Sequence, residues 1–323
     1  GALDDAEAHG LEAKRLAEET GSVRDFVDAT MVLAMVAHER GAWPQRLSLD
    51  LLDTHVRPDL AAVVIDAHLC VAESYLYGGV PYSEVMQFAH DLLQQAATVG
   101  APRAEAFATT LLGETHLLTG DTEAATHHLR SATELHRRVG VLCGEALSLQ
   151  RLAQSLLAQG QDADAQAALT GALMAARCSP VGPRHLLDRI YGTAIRAAPD
   201  PATAFTVVEE SARAVRGPYE SCPPCSINLM IPAAIACARA GALDQAAAYL
   251  AGSEQVVAAF YPGGGWPAAL DEARAHAALA NGDTAGAGRH LAAAAAAFEQ
   301  LEQRLDAERC QQDLSALLAA GKV

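Results

Sequence analysis

Positive charge is scarce in this chain and widely scattered. Lys and Arg number 23 against 39 Asp and Glu, a formal net charge of −16, and Arg137-Arg138 is the densest basic pair. A surface that grips nucleic acid sets clustered cations against phosphates, so direct contact with DNA or RNA is not expected, and an anionic membrane surface is disfavoured on the same ground. Aromatic residues make up only 5%, and the alternation of Val, Ile, Thr and aromatics that marks strands is absent. No apolar run approaches the roughly 20 residues that cross a bilayer; Ala292 to Ala297 is a helix interior between polar flanks. Cysteine is spread too thinly for a disulfide framework, with seven residues mostly inside helical patterns, a usage that fits a reducing cytoplasm. The start, Gly1-Ala2-Leu3-Asp4-Asp5, is neither basic nor a signal core and lacks an initiator Met, so it reads as an excised fragment of a longer protein. A phosphate-binding G-x-x-x-x-G-K-[ST] loop, a G-x-S-x-G elbow, an H-E-x-x-H pair and an Asp-rich calcium loop are all missing. Without convergent titratable groups, an enzyme is not expected.

What is abundant is Ala, Leu and a regular beat of glycine. Aligning on Gly120, Gly160, Gly241 and Gly282 gives intervals of 40, 81 (two units) and 41. Breakers divide the chain into helices over 4–20, 22–40, 46–55, 58–77, 82–99, 102–119, 121–138, 143–159, 162–177, 183–197, 200–215, 223–240, 243–260, 267–281, 283–303 and 305–319. Short connections make consecutive helices antiparallel neighbours. The period therefore predicts one all-α solenoid over 1–323, a right-handed superhelix of antiparallel helix pairs in about 40-residue units, with a hinge near 217–222.

Within a unit, small residues fall where helices cross and large ones where they plug the next unit. Before Gly120 come Leu112-Gly113 and His116, and after it Ala125, Leu129 and Ala132; around Gly160 the same offsets give Leu152-Ala153, Leu156, Ala165, Leu169 and Ala172. Around Gly282 they give Ala275, Ala278, Ala287, Leu291 and Ala294. This resembles the tetratricopeptide repeat (TPR), over about 22–303 and more weakly before residue 100. The unit runs to about 40 residues where that family has 34, the usual first Trp is missing, and the closing Pro is irregular. The longer unit is similar to the helical sensor region of large ATP-binding LuxR-type regulators related to the bacterial maltose activator, and the Ala-rich, Arg-over-Lys composition resembles that of actinobacterial proteins. Such a resemblance implies a piece that senses or docks, while flanking domains switch and bind DNA.

One local motif carries chemistry. Cys222-Pro223-Pro224-Cys225 stands at the start of a helix, where thiol pKa falls. Residues one unit apart occupy equivalent places on adjacent helices about 8–10 Å apart, and His185 lies 40 residues before Cys225. With Cys178 ending the preceding helix, the expected cluster is Cys178, His185, Cys222 and Cys225, a Cys3His set suited to structural zinc. A reversible Cys222–Cys225 disulfide and inert buried thiols are the alternatives. Cys143 is a reserve ligand; Cys70, Cys237 and Cys310 read as core. His127, His128 and His136 read as solvated surface, His116 as packed, acidic pairs such as Asp271-Glu272 as exposed, and Trp266 as packing the last hairpin on the one before.

In a TPR-like superhelix the first helix of each pair lines the concave face. Inward positions then include Asp66, Glu73, Phe107, Glu114, Gln150, Gln154, Tyr191 and Asn228, a mixture suited to a peptide or polar effector. Three functions follow in order: a non-enzymatic sensor or scaffold that binds a protein segment or small effector and its parent's flanking domains; a metal- or redox-gated switch; and an enzyme with a hidden site in a helical toroid.

Overall fold

A computed structural model describes residues 1–215 and 220–319, apart from the side chains of residues 55 and 56. Among the described residues the chain is all-helical. A layer of first helices comprises α2 (Val23–Glu39), α4 (Ala61–Tyr77), α6 (Pro102–Leu118), α8 (Leu142–Ala158), α10 (Leu187–Arg196), α12 (Ile227–Arg239), α14 (Gly265–Ala280) and α16 (Arg304–Ala319). They alternate with α1 (Ala2–Thr20), α3 (Trp43–Val56), α5 (Tyr82–Val99), α7 (Thr122–Arg138), α9 (Asp162–Cys178), α11 (Pro201–Ala214), α13 (Leu243–Phe260) and α15 (Thr284–Gln300). From α4 onward the first helices begin at 61, 102, 142, 187, 227, 265 and 304, close to one unit apart. From α6 to α14 each first helix packs on the helix that follows it, α5 packs on α6, and α2, α4, α6, α8, α10, α12 and α14 pack on one another in sequence, as an α-solenoid requires.

The turns explain the beat. Gly120, Gly160, Gly241 and Gly282 take φ of +87°, +70°, +80° and +80°, a left-handed conformation that glycine adopts without steric penalty. Acidic caps start the next helix: Asp121 accepts from the Ala124 N–H at 3.1 Å and Asp283 from the Gly286 N–H at 2.8 Å, filling donors that a helix start leaves open. The small-large-small triplets are buried, with Ala125, Leu129, Ala132, Ala287, Leu291 and Ala294 fully enclosed. Contrary to the sequence expectation, the stretch Pro58–Tyr77 is long and apolar enough by length and composition to cross a bilayer, but it is packed against α2, α6 and α8.

Three further sequence expectations change, and a fourth falls largely outside the described residues. The 283–303 helix ends at Gln300, because Glu302 turns to φ 59°. The Cys222–Cys225 segment is a turn, its Ser226 N–H bonded to Cys222 O at 2.9 Å, and α12 begins after it at Ile227. Of the 217–222 hinge, 217–219 lie outside the described residues. Trp266 stacks on Tyr77 at 4.7 Å, not on the preceding hairpin alone. That contact belongs to a seam: Gln303 donates to Tyr82 Oη at 2.7 Å, and an added Cβ at Gly264 would overlap the Tyr77 carbonyl. The last hairpins thus fold back on the ends of α4 and α5.

His136 is buried, contrary to its solvated reading. Its Nε2 lies 3.1 Å from Thr110 Oγ1 while Nδ1 has no partner, and Gly144 leaves the ring its room, since a Cβ there would overlap it. Burial pushes its pKa down to about 3. The unfolded chain takes up the proton near pH 6.5 and the folded one does not, so this contribution is whole above about pH 6.5 and is lost as pH falls towards 3. Between pH 7.5 and 4.5 the cost is about 2–3 kcal/mol. Urea titrations at the two pH values should show that loss in the wild type and a smaller one in His136→Gln; equal pH dependence would refute the assignment.

Candidate functional site

The inner faces of the first helices meet in a buried ionic network. Glu73 Oε2 accepts from Arg151 Nη2 at 3.0 Å and Arg189 Nη1 at 2.6 Å, and its Oε1 accepts from Asn228 Nδ2 at 2.9 Å. Arg151 also donates to Glu114 at 2.8 Å and Gln154 at 3.0 Å, while Gln150 and Gln154 both donate to Thr193 Oγ1 at 2.8 and 3.1 Å. Two carboxylates face two guanidiniums, all but sealed from water. Buried charge is tolerated where it is paired and hydrogen-bonded. For Glu114, burial raises the carboxyl pKa and Arg151 only partly offsets that.

Above this floor opens a cavity of about 550 Å³. Arg151, Arg189, Thr193 and Asn228 form the floor, and Trp266, Phe298 and the Glu272–Arg309 pair form the opposite wall. Glu272 is buried rather than exposed; burial would raise its pKa, but Arg309 outweighs that and brings it to about 2. The mouth carries Arg196 and Arg239, both exposed and without an ion pair among the described residues. Trp266 Nε1 is buried without a partner.

Beside the floor lies a second constellation. Cys70, His185, Cys222 and Cys225 bring one ligand atom each within 4.8 Å of one another, and all four residues are buried. Cys70 Sγ and Cys222 Sγ are 3.6 Å apart, as are Cys225 Sγ and His185 Nδ1. Arg189 Nη2 approaches Cys225 Sγ at 3.6 Å, and His185 Nε2 faces Asp66 Oδ2 at 3.5 Å. Contacts with Cys225 and Cys70 draw the Cys222 pKa down against the pull of burial, with Arg184 assisting. Burial lifts Asp66 to about 6. Burial would lower His185, but Asp66 and Cys225 outweigh it and raise the imidazole. Such a group can hold a thiophilic metal.

The expected residues distribute as follows. Gln154 and Asn228 line the cavity, whereas Glu73 and Glu114 do not reach it and lie buried in the ion network behind Arg151. Gln150 is buried beneath the cavity floor, Phe107 is enclosed in apolar core, and Tyr191 packs half-buried on the α10–α12 core. Asp66 faces His185 instead of the groove. Cys178 is exposed at the end of α9 and outside the cluster; its place is taken by Cys70, which read as core. The reason is layering, since α9 lies in the outer row while the cluster sits among first helices. Cys143 points to the Ala62 carbonyl at 3.6 Å. Arg151 and Arg189 were not singled out in the sequence at all.

No protein-family model and no curated protein matches the chain. Among solved structures, a Rap protein complexed with competence and sporulation factor is 13% identical, covering all of this chain and 95% of that one at a TM-score of 0.50. BtubC (BKLC) from P. vanneervenii is 17% identical over 80% of this chain and 92% of its own, at a TM-score of 0.39. The first similarity agrees with a TPR-like helical-repeat fold.

Proposed function

We propose that the chain is a non-enzymatic binding module of a cytoplasmic signalling or transcriptional regulator, taking a protein segment or small effector with an anionic group into its inner cavity. The observation that carries this reading is the cavity itself. Its volume suits a few residues of peptide or a small molecule, its floor is preorganised by paired side chains, and beside the acids Asp200, Asp306, Glu308 and Asp313 it presents two exposed arginines, Arg196 and Arg239, that form no close ion pair among the described residues. Trp266 adds an apolar face with an unspent N–H donor. The Rap protein of the similar structure is itself complexed with a factor, which favours binding over chemistry. In the LuxR-type setting that the sequence resembles, flanking domains would read the occupied state.

A thermal-shift screen of peptides, metabolites and candidate flanking domains tests this, because anything binding only the folded state raises the midpoint. For a binder so found, Arg196→Glu with Arg239→Glu should weaken affinity at least about tenfold through slower, salt-sensitive association, leaving the unliganded midpoint unchanged. If no ligand raises the midpoint, or if binding ignores the rim charges, the reading fails. The buried thiol–imidazole group favours a second reading, a module gated by zinc or by the redox state of its thiols.

A further inference from the structure

We infer that Cys70, Cys222, Cys225 and Nδ1 of His185 form a closed tetrahedral site for one structural zinc ion, which ties α4 to the turns ahead of α10 and α12. The inference refines the gated reading and stands apart from what the cavity binds.

Two edges of the group fit the metal, and all four ligand atoms lie within 4.8 Å of one another. Zinc bound at about 2.3 Å to sulfur and 2.0–2.1 Å to nitrogen sets tetrahedral edges of about 3.8 Å between sulfurs and 3.5–3.6 Å between sulfur and nitrogen. The Cys70–Cys222 and Cys225–His185 separations are both 3.6 Å. A disulfide brings its sulfurs to about 2.05 Å, which the Cys70–Cys222 separation is far from. Three soft ligands and one imidazole leave no open position, so the site is structural rather than catalytic.

Burial as small hydrophobes does not explain the surroundings. Thiols in an apolar core need no imidazole aimed at sulfur, and Cys237 and Cys310 show that ordinary case within apolar clusters. Around this group stand His185, Asp66 and Arg189, with His185 Nε2 and Asp66 Oδ1 both lacking a hydrogen-bond partner. If Nδ1 binds metal, the neutral ring keeps its proton on Nε2, aimed at Asp66. The gap of 3.5 Å exceeds a hydrogen bond, and a small ring rotation closes it. A carboxylate behind a ligating histidine is the usual second layer of a zinc site. Three thiolates and Zn²⁺ leave one net negative charge, which Arg189 faces through its contact with Cys225. On binding, the thiols release their protons to solvent.

The test uses the full chain purified under reducing conditions, without cavity ligand. Elemental analysis should give one zinc per chain, and wild-type apoprotein titrated with Co²⁺ should develop tetrahedral thiolate absorption at one equivalent. Cys70→Ser and Cys222→Ser should lose the metal, while Cys178→Ser, at the exposed cysteine outside the cluster, should retain it. Removing zinc should lower the melting midpoint by about 10 °C or more. Should a cluster variant not fold, the cobalt titration of wild type decides alone. Protein without zinc that takes up neither zinc nor cobalt overturns the site, as does metal loss in Cys178→Ser with retention in Cys70→Ser. A purified chain two mass units light, with no metal, overturns it in favour of a disulfide.

Discussion

Glu73→Gln should destabilise the protein by about 3–5 kcal/mol, the range found when one partner of a buried ion pair is removed. Glu73 is wholly buried on α4 and receives Arg151, Arg189 and Asn228 at once. The amide keeps the shape but removes the negative charge, leaving two guanidiniums to share Glu114. It also offers N–H groups where donors already point. Adding Arg189→Met restores the balance of one acid to one base and should recover part of the loss. Glu12→Gln, which breaks the exposed pair with Arg15, should leave the urea midpoint where it was, as surface pairs are weak. A cost below about 1 kcal/mol for Glu73→Gln would show that the network is not held by charge.

The second large effect is steric. At Gly192 on α10 an added Cβ would overlap the Asn228 carbonyl oxygen and lie 2.8 Å from its carbon and 3.4 Å from the Leu229 Cα. Those atoms are backbone and cannot rotate away, so α10 and α12 must part. Gly192→Ala should therefore cost about 3 kcal/mol or more, roughly 4–5 °C or more in midpoint for a chain of this length. Thr193 and Asn228 move with those helices, so cavity binding should fall as well. Gly171→Ala is the control. Its Cβ would meet only Leu149 Cδ1, at 3.3 Å, and helix propensity favours alanine there by up to about 1 kcal/mol. Equal midpoints for the two variants would contradict the close crossing.

The sequence carries what a period can carry. Gly120, Gly160, Gly241 and Gly282 mark the units, and a 40-residue offset correctly sets His185 beside Cys225. Cys70 escaped because it is 152 residues from Cys222, and their meeting depends on how far the superhelix curls, which no single interval encodes. Tyr77 and Trp266 were hidden for the same reason. Arg151 and Arg189 escaped for another, since long cations are ordinarily read as solvated. A signal did exist: Glu73, Glu114, Arg151 and Arg189 follow one another at 41, 37 and 38 residues, one charge per unit, with the signs paired. His136 had its own trace in Gly144, the missing side chain that makes room for the ring.

The seam of Tyr77, Trp266, Tyr82 and Gln303 has a consequence for how the molecule comes apart. An open repeat array behaves as a one-dimensional chain of neighbours and can fray stepwise from either end. Here the end of α4 and the start of α5 are bolted to hairpins 189 and 221 residues away, so loosening one terminus of the wrapped region strains the other. Loss of structure should be correspondingly all-or-none across that span, and the return journey slow, because distant partners must find each other before the ring can shut.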